Sequence, residues 1–276
     1  FTFFTGFKVN SGEYKLMGLA PYGEPKYKDL ILEHLVDLKE DGSLRLNLSY
    51  FDFLSGLKMT NGRFAKLFGG PPRIPESDIT QREMDIAASI QAVTEEAVLR
   101  MARHVRRETG MKKLCIAGGV ALNCVANGRL IREGIFDDIW VQPAAGDAGA
   151  ALGAALSVWH SYLGKKRIVS RGKDSQRGSY LGPSYSNVEI ERFLMNADCT
   201  YHQMKRRDRN IEVAQMLSDG KIVGYFSGRM EFGPRALGGR SILGSPSYGG
   251  IANKINEQIK FRERWRPFCP SVLDTV

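Results

Sequence analysis

The sequence is short of cysteine and histidine. Its four cysteines, Cys115, Cys124, Cys199 and Cys269, are scattered with no CxxC pair. That spacing argues against a disulfide framework or a zinc knuckle and for a reducing, cytoplasmic setting. The four histidines, His34, His104, His160 and His202, include no HxxxH pair. No apolar run approaches the roughly 18 residues that a membrane span requires. The opening FTFFTGFKVN has neither a starting Met nor a charged segment leading into an apolar one. These absences predict a soluble chain with no membrane partner. With 276 residues, 43% of them hydrophobic, there is enough material for one large or two ordinary domains with a real core.

Acidic residues are outnumbered by basic ones, 30 to 39, giving a formal charge of +9. More than half of that excess is local. Residues 163–180, LGKKRIVSRGKDSQRGSY, carry six Lys or Arg against one Asp, and read as a solvated basic linker. No helix-turn-helix, zinc finger or aromatic RNA-binding strand accompanies it, so a nucleic-acid partner is disfavoured.

The linker separates two halves. Before it, MDIAASIQAVTEEAVLRMARHV places Ile86, Ile90, Val93, Ala97, Met101 and Val105 at amphipathic-helix spacing, with Gly110 positioned to stop the helix. KKLCIAG then reads as a strand that runs through Gly118 and Gly119 into a helix. DIWVQPAAGDAGAALGAALSVW repeats the arrangement. Two successive strand, glycine turn, helix units predict an α/β domain with a sheet at its centre. The Gly118–Gly119 pair lets a ligand reach the backbone ahead of a helix N-terminus, though close packing is the commoner reason for such a pair. Asp147 opens the second helix, either as a stabilising N-terminal carboxylate or as a metal or ribose ligand. After the linker, Ser186 and Glu189 are spaced as a capping box, and NIEVAQMLSDG predicts a helix that stops at Gly220. KIVGYF predicts a buried strand.

Directly after that strand, SGRMEFGPRALGGRSIL sets Arg229, Arg235 and Arg240 among glycines and a proline. A second basic run, KINEQIKFRERWRPFCPSVL, holds Lys254, Lys260, Arg262, Arg264 and Arg266, with Pro267 and Pro270 forcing extended backbone near its end. Arginines on glycine- or proline-fixed backbone suit bidentate recognition of phosphate or carboxylate. Glu231, Glu257 and Glu263 could instead pair with them internally. From Lys221 onward there are nine basic and four acidic residues, so internal pairing cannot use all of the cations.

The blocks GFKVNSGEYKLMGLAPYGEP, LCIAGGVALNCVANGRL, GDAGAALGAAL, GRMEFGPRALGGRSIL and KFRERWRPFCPSVL together closely resemble the carbamoyltransferases that modify nodulation factors and antibiotics. The resemblance runs along nearly the whole chain. It implies an α/β protein in which residues 1–162 are the later part of an actin-like ATPase domain (ASKHA, Kae-type). Residues 163–180 are then the linker, and 181–276 the start of a YrdC-like α/β domain. It further implies that carbamoyl phosphate and ATP form carbamoyl adenylate in the second domain, and that the first passes the carbamoyl group to a hydroxyl of a small natural product. On that resemblance Arg229, Arg235, Arg240, Lys260, Arg262 and Arg266 form the anion pocket. Glu13, Lys15, Gly118, Gly119 and Asn123 look like nucleotide contacts, with magnesium accompanying ATP. Asp147 looks like the family's carboxylate ligand to iron or zinc.

The family's HxxxH metal ligands have no counterpart in this sequence. The resemblance places them in an upstream segment and places further YrdC-like sequence downstream. The expectation is therefore that this polypeptide alone neither holds the metal tightly nor turns over. Two rival readings have specific motives. Another actin-fold enzyme such as a sugar kinase would use the glycine turns but gives the arginine blocks no role. A basic module related to transfer-RNA modification would bind nucleic acid with a steep salt dependence.

Overall fold

The computed structural model describes residues 1–169, 172 and 174–273. Contacts group these residues into two compact units. The first comprises Phe1–Ile116, Asn123–Trp140 and the segment from Trp265 onward; the second comprises Ala117–Leu122 and Val141–Arg264. This grouping differs from the sequence boundaries at 162 and 180, because the chain crosses between units more than once.

In the first unit come helices α1 (Glu13–Leu19), α2 (Lys28–His34), α3 (Gly62–Leu67), α4 (Gln81–Thr109) and α5 (Cys124–Arg132). Strands β1 (Val36–Leu38) and β2 (Leu44–Leu46) pair antiparallel, Asp37 opposite Arg45. Strands β3 (Lys113–Ile116) and β4 (Asp138–Val141) form a second two-stranded sheet.

The 29-residue α4 is the spine of this unit. Its start is fixed by a capping box, with the Thr80 N–H donating to the Glu83 carboxylate at 3.0 Å. Its end is fixed by Gly110, whose φ of 64° is the left-handed cap that the sequence predicted. Along its length α4 contributes to three clusters. Ile86 and Val93 join Phe4, Ile31, Leu35, Phe64 and Phe68; Ala87 joins Phe7 and Leu19; Leu99 and Ala102 join Leu130 and Phe136. The predicted stripe holds as far as Ala97 and then turns. Met101 and Val105 are 41% and 40% exposed, whereas Leu99 and Ala102 are buried. The reason is that α5 and Phe136 meet the later turns of α4 on a different face from the one that receives α2 and α3.

Asp85, one turn into α4, is buried and accepts hydrogen bonds from the Glu24 N–H (2.9 Å), Lys26 Nζ (2.8 Å) and Gln81 Nε2 (2.8 Å). Burial pushes its pKa up, but these donors outweigh that and hold the carboxyl below its usual range.

The second unit carries α6 (Asp147–Ser157), α7 (Asn187–Asn196), α8 (Arg206–Ser218), α9 (Ile251–Lys254), β5 (Val223–Phe226) and β6 (Arg240–Leu243). The Ser186–Glu189 capping box opens α7 as predicted, and Gly220 follows α8 in the left-handed region. Strands β5 and β6 pair antiparallel, with Phe226 opposite Arg240. The expected central sheet is not found among the described residues: each of the three sheets has two strands. β5 is also not buried as expected, since Gly224 and Phe226 are exposed. Few of this unit's apolar side chains are buried; Trp159, Phe193 and Phe226 are each more than half exposed. Backbone and side-chain hydrogen bonds, more than an apolar core, tie its segments together.

Replacing Asp85 by Asn should lower the unfolding free energy by about 1–3 kcal/mol near neutral pH. The native pKa lies below the unfolded one, so this stabilisation is present above about pH 4 and is lost as pH falls through the native value. Thermal melts of the two proteins should differ at about pH 7 and draw together as the pH falls below the usual carboxylate range. A gap independent of pH would rule out a charge-linked role.

Candidate functional site: an arginine turn and its surroundings

Between β5 and β6 the chain makes a tight turn over residues 227–239, carrying Arg229 and Arg235, both exposed, and ending at the half-buried Arg240. Three segments of the second unit lie around this turn. The Gly118 N–H donates to the Ala145 carbonyl at 2.8 Å, which brings the Gly118–Gly119 turn beside the loop that precedes Asp147. That loop also faces the arginine turn: a Cβ on Gly233 would stand 3.0 Å from the Pro143 carbonyl oxygen. The segment 179–183 runs along the other side. There the Phe232 N–H donates to Ser179 O (2.7 Å), the Gly182 N–H to Met230 O (2.9 Å) and the Met230 N–H to Pro183 O (3.0 Å). Arg229 Nη1 donates to Gly182 O at 2.7 Å, and the Tyr180 hydroxyl donates to Leu237 O.

The basic linker therefore ends in ordered structure. Asp174 accepts from the Gln176 and Gly178 N–H groups, and those amides hold its pKa below the usual range. Gln176 Nε2 reaches Gln142 at 2.7 Å. Ser170, Arg171 and Lys173 of the linker lie outside the described residues.

An open cavity of about 290 Å³ sits on the turn, lined by Tyr180, Tyr225, Ser227, Arg229 and glycine backbone. Of its glycines, Gly228 and Gly238 are exposed, whereas Gly239 is buried and its N–H is taken by the Glu231 carboxylate.

Lys260 and Arg262 lie on a separate turn of the same unit. The buried Asn256 organises it: Asn256 Oδ1 accepts from Arg262 Nε at 2.6 Å, and Asn256 Nδ2 donates to Arg264 O at 3.0 Å. Arg264 pairs with Glu257, one of the internal ion pairs that the sequence allowed. Between Lys260 and Arg262, Phe261 has a φ of 46° and is 84% exposed. A bulky side chain in the left-handed region is strained by about 1–3 kcal/mol, and such strain concentrates at binding sites.

Arg266 is placed elsewhere. It belongs to the first unit, where its guanidinium lies 4.4 Å from the centre of the Tyr14 ring on α1. Trp265 packs on Phe7, and its carbonyl accepts from the Tyr22 hydroxyl at 3.1 Å. Within the first unit, Arg266 thus lies against the GEYKLMG helix that carries Glu13 and Lys15. Glu13 accepts from the Asn10 N–H at 2.9 Å, and Lys15 stands over Phe7.

The predicted nucleotide contacts differ in character. Gly118 and Gly119 leave open space where a Cβ would be, as close approach of a phosphate requires. The Asn123 side chain is engaged with protein: Oδ1 caps α5 by accepting from the Ala126 N–H (3.1 Å), and the amide exchanges hydrogen bonds with Gln91 (2.9 and 3.2 Å). Asp147 is an exposed carboxylate at the start of α6. Among the described residues no group of three or more His, Cys, Asp or Glu could hold a metal ion. A lone carboxylate does not fit a resident iron or zinc.

Tyr180, Asn256 and Gln91 escaped the sequence reading. Their partners lie 57, 8 and 32 residues away, and no local pattern marks them.

A cation-bearing glycine turn beside an aromatic-walled cavity thus sits within a mixed helical and small-sheet architecture of α/β character. Comparison with known sequences narrows this. The family described as carbamoyltransferase N-terminus matches residues 1–156, and the carbamoyltransferase C-terminus family matches residues 214–276. An uncharacterized protein of Synechocystis is 62% identical over 275 residues, covering 99% of this chain and 45% of the relative. Nodulation protein NolO of Bradyrhizobium diazoefficiens is 41% identical over 264 residues, 95% of this chain and 45% of the relative. Nodulation protein NolNO of Sinorhizobium fredii is 40% identical over 262 residues, 95% of this chain and 36% of the relative. The chain belongs to the carbamoyltransferase family, and it spans less than half the length of these relatives. No described helix is long and apolar enough to cross a membrane.

Two substitutions separate structural from ligand-binding roles. Asn123→Ala should cost about 1–2 kcal/mol in urea unfolding, as loss of an N-cap does; an unchanged midpoint would contradict the capping role. Phe261→Gly should relieve backbone strain, leaving the melting temperature unchanged or higher. A large loss of stability would show that the ring itself is needed.

Proposed function

We propose that this chain is part of an ATP-dependent O-carbamoyltransferase acting on a hydroxyl-bearing natural product, and that the arginine turn receives carbamoyl phosphate. The observation that carries this reading is the open cavity lined by Arg229 and by glycine backbone, in a chain of the carbamoyltransferase family. In this reading the later part of an actin-like ATPase fold is followed by the start of a YrdC-like domain. ATP supplies the adenylyl group that activates the carbamoyl unit, with magnesium accompanying its phosphates.

Breaking the acyl phosphate and expelling pyrophosphate both build negative charge on oxygens. Cations fixed by the backbone stabilise such charge without reorganising during the step. Arg229 and Arg235 lie on the turn itself, and Lys260 and Arg262 on the turn ordered by Asn256, so all four are held by main-chain geometry within one unit. Arg266, together with Glu13 and Lys15, serves the first unit.

Thermal melting of the chain with carbamoyl phosphate, ATP, both, or inorganic phosphate tests this reading. A ligand at about 100 times its Kd adds about 2.7 kcal/mol to a folded site. Carbamoyl phosphate should stabilise more than phosphate does, Arg235→Ala should remove that shift, and Asp147→Ala should leave it intact. A cooperatively melting sample that no ligand stabilises would sink the assignment for this chain.

A further inference from the structure

The arginine turn carries two sets of internal hydrogen bonds that complement each other. On one side the Glu231 carboxylate, through Oε1, accepts from the N–H groups of Leu237 (2.9 Å), Gly239 (2.6 Å) and Arg240 (3.1 Å). On the other side the Arg240 guanidinium donates to the carbonyls of Gly239 (2.8 Å), Ser227 (3.3 Å) and Gly228 (3.2 Å) while lying on the Phe226 ring. Gly239 is held by both sets. Its N–H goes to Glu231, and its carbonyl accepts from Arg240 and from the Ser227 N–H. A Cβ there would stand 2.9 Å from the Arg229 carbonyl oxygen and 3.1 Å from Glu231 Oε1.

An arginine that recognises a ligand turns its fork toward the ligand. Both terminal nitrogens of Arg240 donate to backbone carbonyls of its own loop, whereas Arg229 donates to Gly182 O from Nη1 alone. Glu231 likewise reaches backbone amides and so cannot be read as a simple ion-pair partner. Burial pushes its pKa up, but those amides outweigh the effect and hold the carboxyl low. Oppositely charged side chains thus satisfy opposite faces of one stretch of main chain.

We propose that Glu231 and Arg240 are positioning residues, which lace the 227–240 backbone into the shape that presents Arg229 and Arg235, and that neither contacts the ligand. Its bearing on carbamoyl phosphate rests on the function proposed above; the lacing itself does not.

Charge and lacing can be separated by conservative variants. Arg240→Lys keeps the positive charge but cannot reach three carbonyls or stack on the ring as a guanidinium does. Glu231→Gln keeps an acceptor oxygen without the charge. The readout is amide hydrogen exchange in the 227–243 peptide, alongside the Kd for carbamoyl phosphate from calorimetry, in the full chain. Exchange at the laced amides should quicken about tenfold or more in Glu231→Ala and less in Glu231→Gln. Arg240→Lys should loosen the peptide as much as Arg240→Met does. If Arg240→Lys protects the peptide like the wild type, charge alone suffices and the proposal is overturned. Wild-type exchange in both Glu231 variants overturns it as well. Should the wild type bind no carbamoyl phosphate, the functional reading fails, while the exchange data still decide the lacing. Glu231→Gln and Arg240→Lys serve if the harsher variants do not fold.

Discussion

Burial of the inner face of α4 is the constraint on which the first unit depends. Each of its three apolar clusters includes residues of this helix, so α1, α2, α3 and α5 are arranged around it. A helix of 29 residues cannot keep one stripe against partners on different sides, and the turn of the buried face after Ala97 follows from that. Polar groups at its start are fixed with equal care. Glu83 and Asp85 are both buried, and each is surrounded by donors, because an unpaired carboxylate there would cost more than the helix gains. The docking of Trp265 and Pro267 against Phe7 and Gly18 extends the same packing to the last basic block.

The second unit is organised on another basis. Its apolar side chains are largely exposed, and main-chain hydrogen bonds join the 179–183 segment to the arginine turn and the Gly118 turn to the Ala145 loop. Such bonds are directional, so they fix backbone positions more sharply than a small apolar contact does. A set of cations gains from that arrangement. Arg229 and Arg240 are both held in this way, each donating to backbone carbonyls of the unit.

The sequence foretold much of the local structure, and the reason is that the signals are local. Gly110 ends α4, and Ser186 with Glu189 opens α7, because capping depends on residues within a turn of one another. What could not be read depends on contacts distant along the chain. Asn123 sits in a motif that suggested a ligand contact, yet Gln91, 32 residues earlier, takes its amide. Arg266 shares a run of arginines with Arg262 and Arg264, but Trp265 and Pro267 draw it to the first unit. The two-stranded sheets show the same limit: strand segments can be recognised from pattern, whereas the number of strands that pair depends on the rest of the fold.

The fate of Glu231 shows how composition misleads about pairing. Counting nine basic against four acidic residues invites the idea that each carboxylate neutralises an arginine. Glu257 does so with Arg264. Glu231, set in a glycine-rich turn, meets closely spaced N–H groups instead, and several hydrogen bonds to one carboxylate exceed what an exposed ion pair offers. Glycine makes this possible, since the absence of a Cβ lets amides converge on one oxygen.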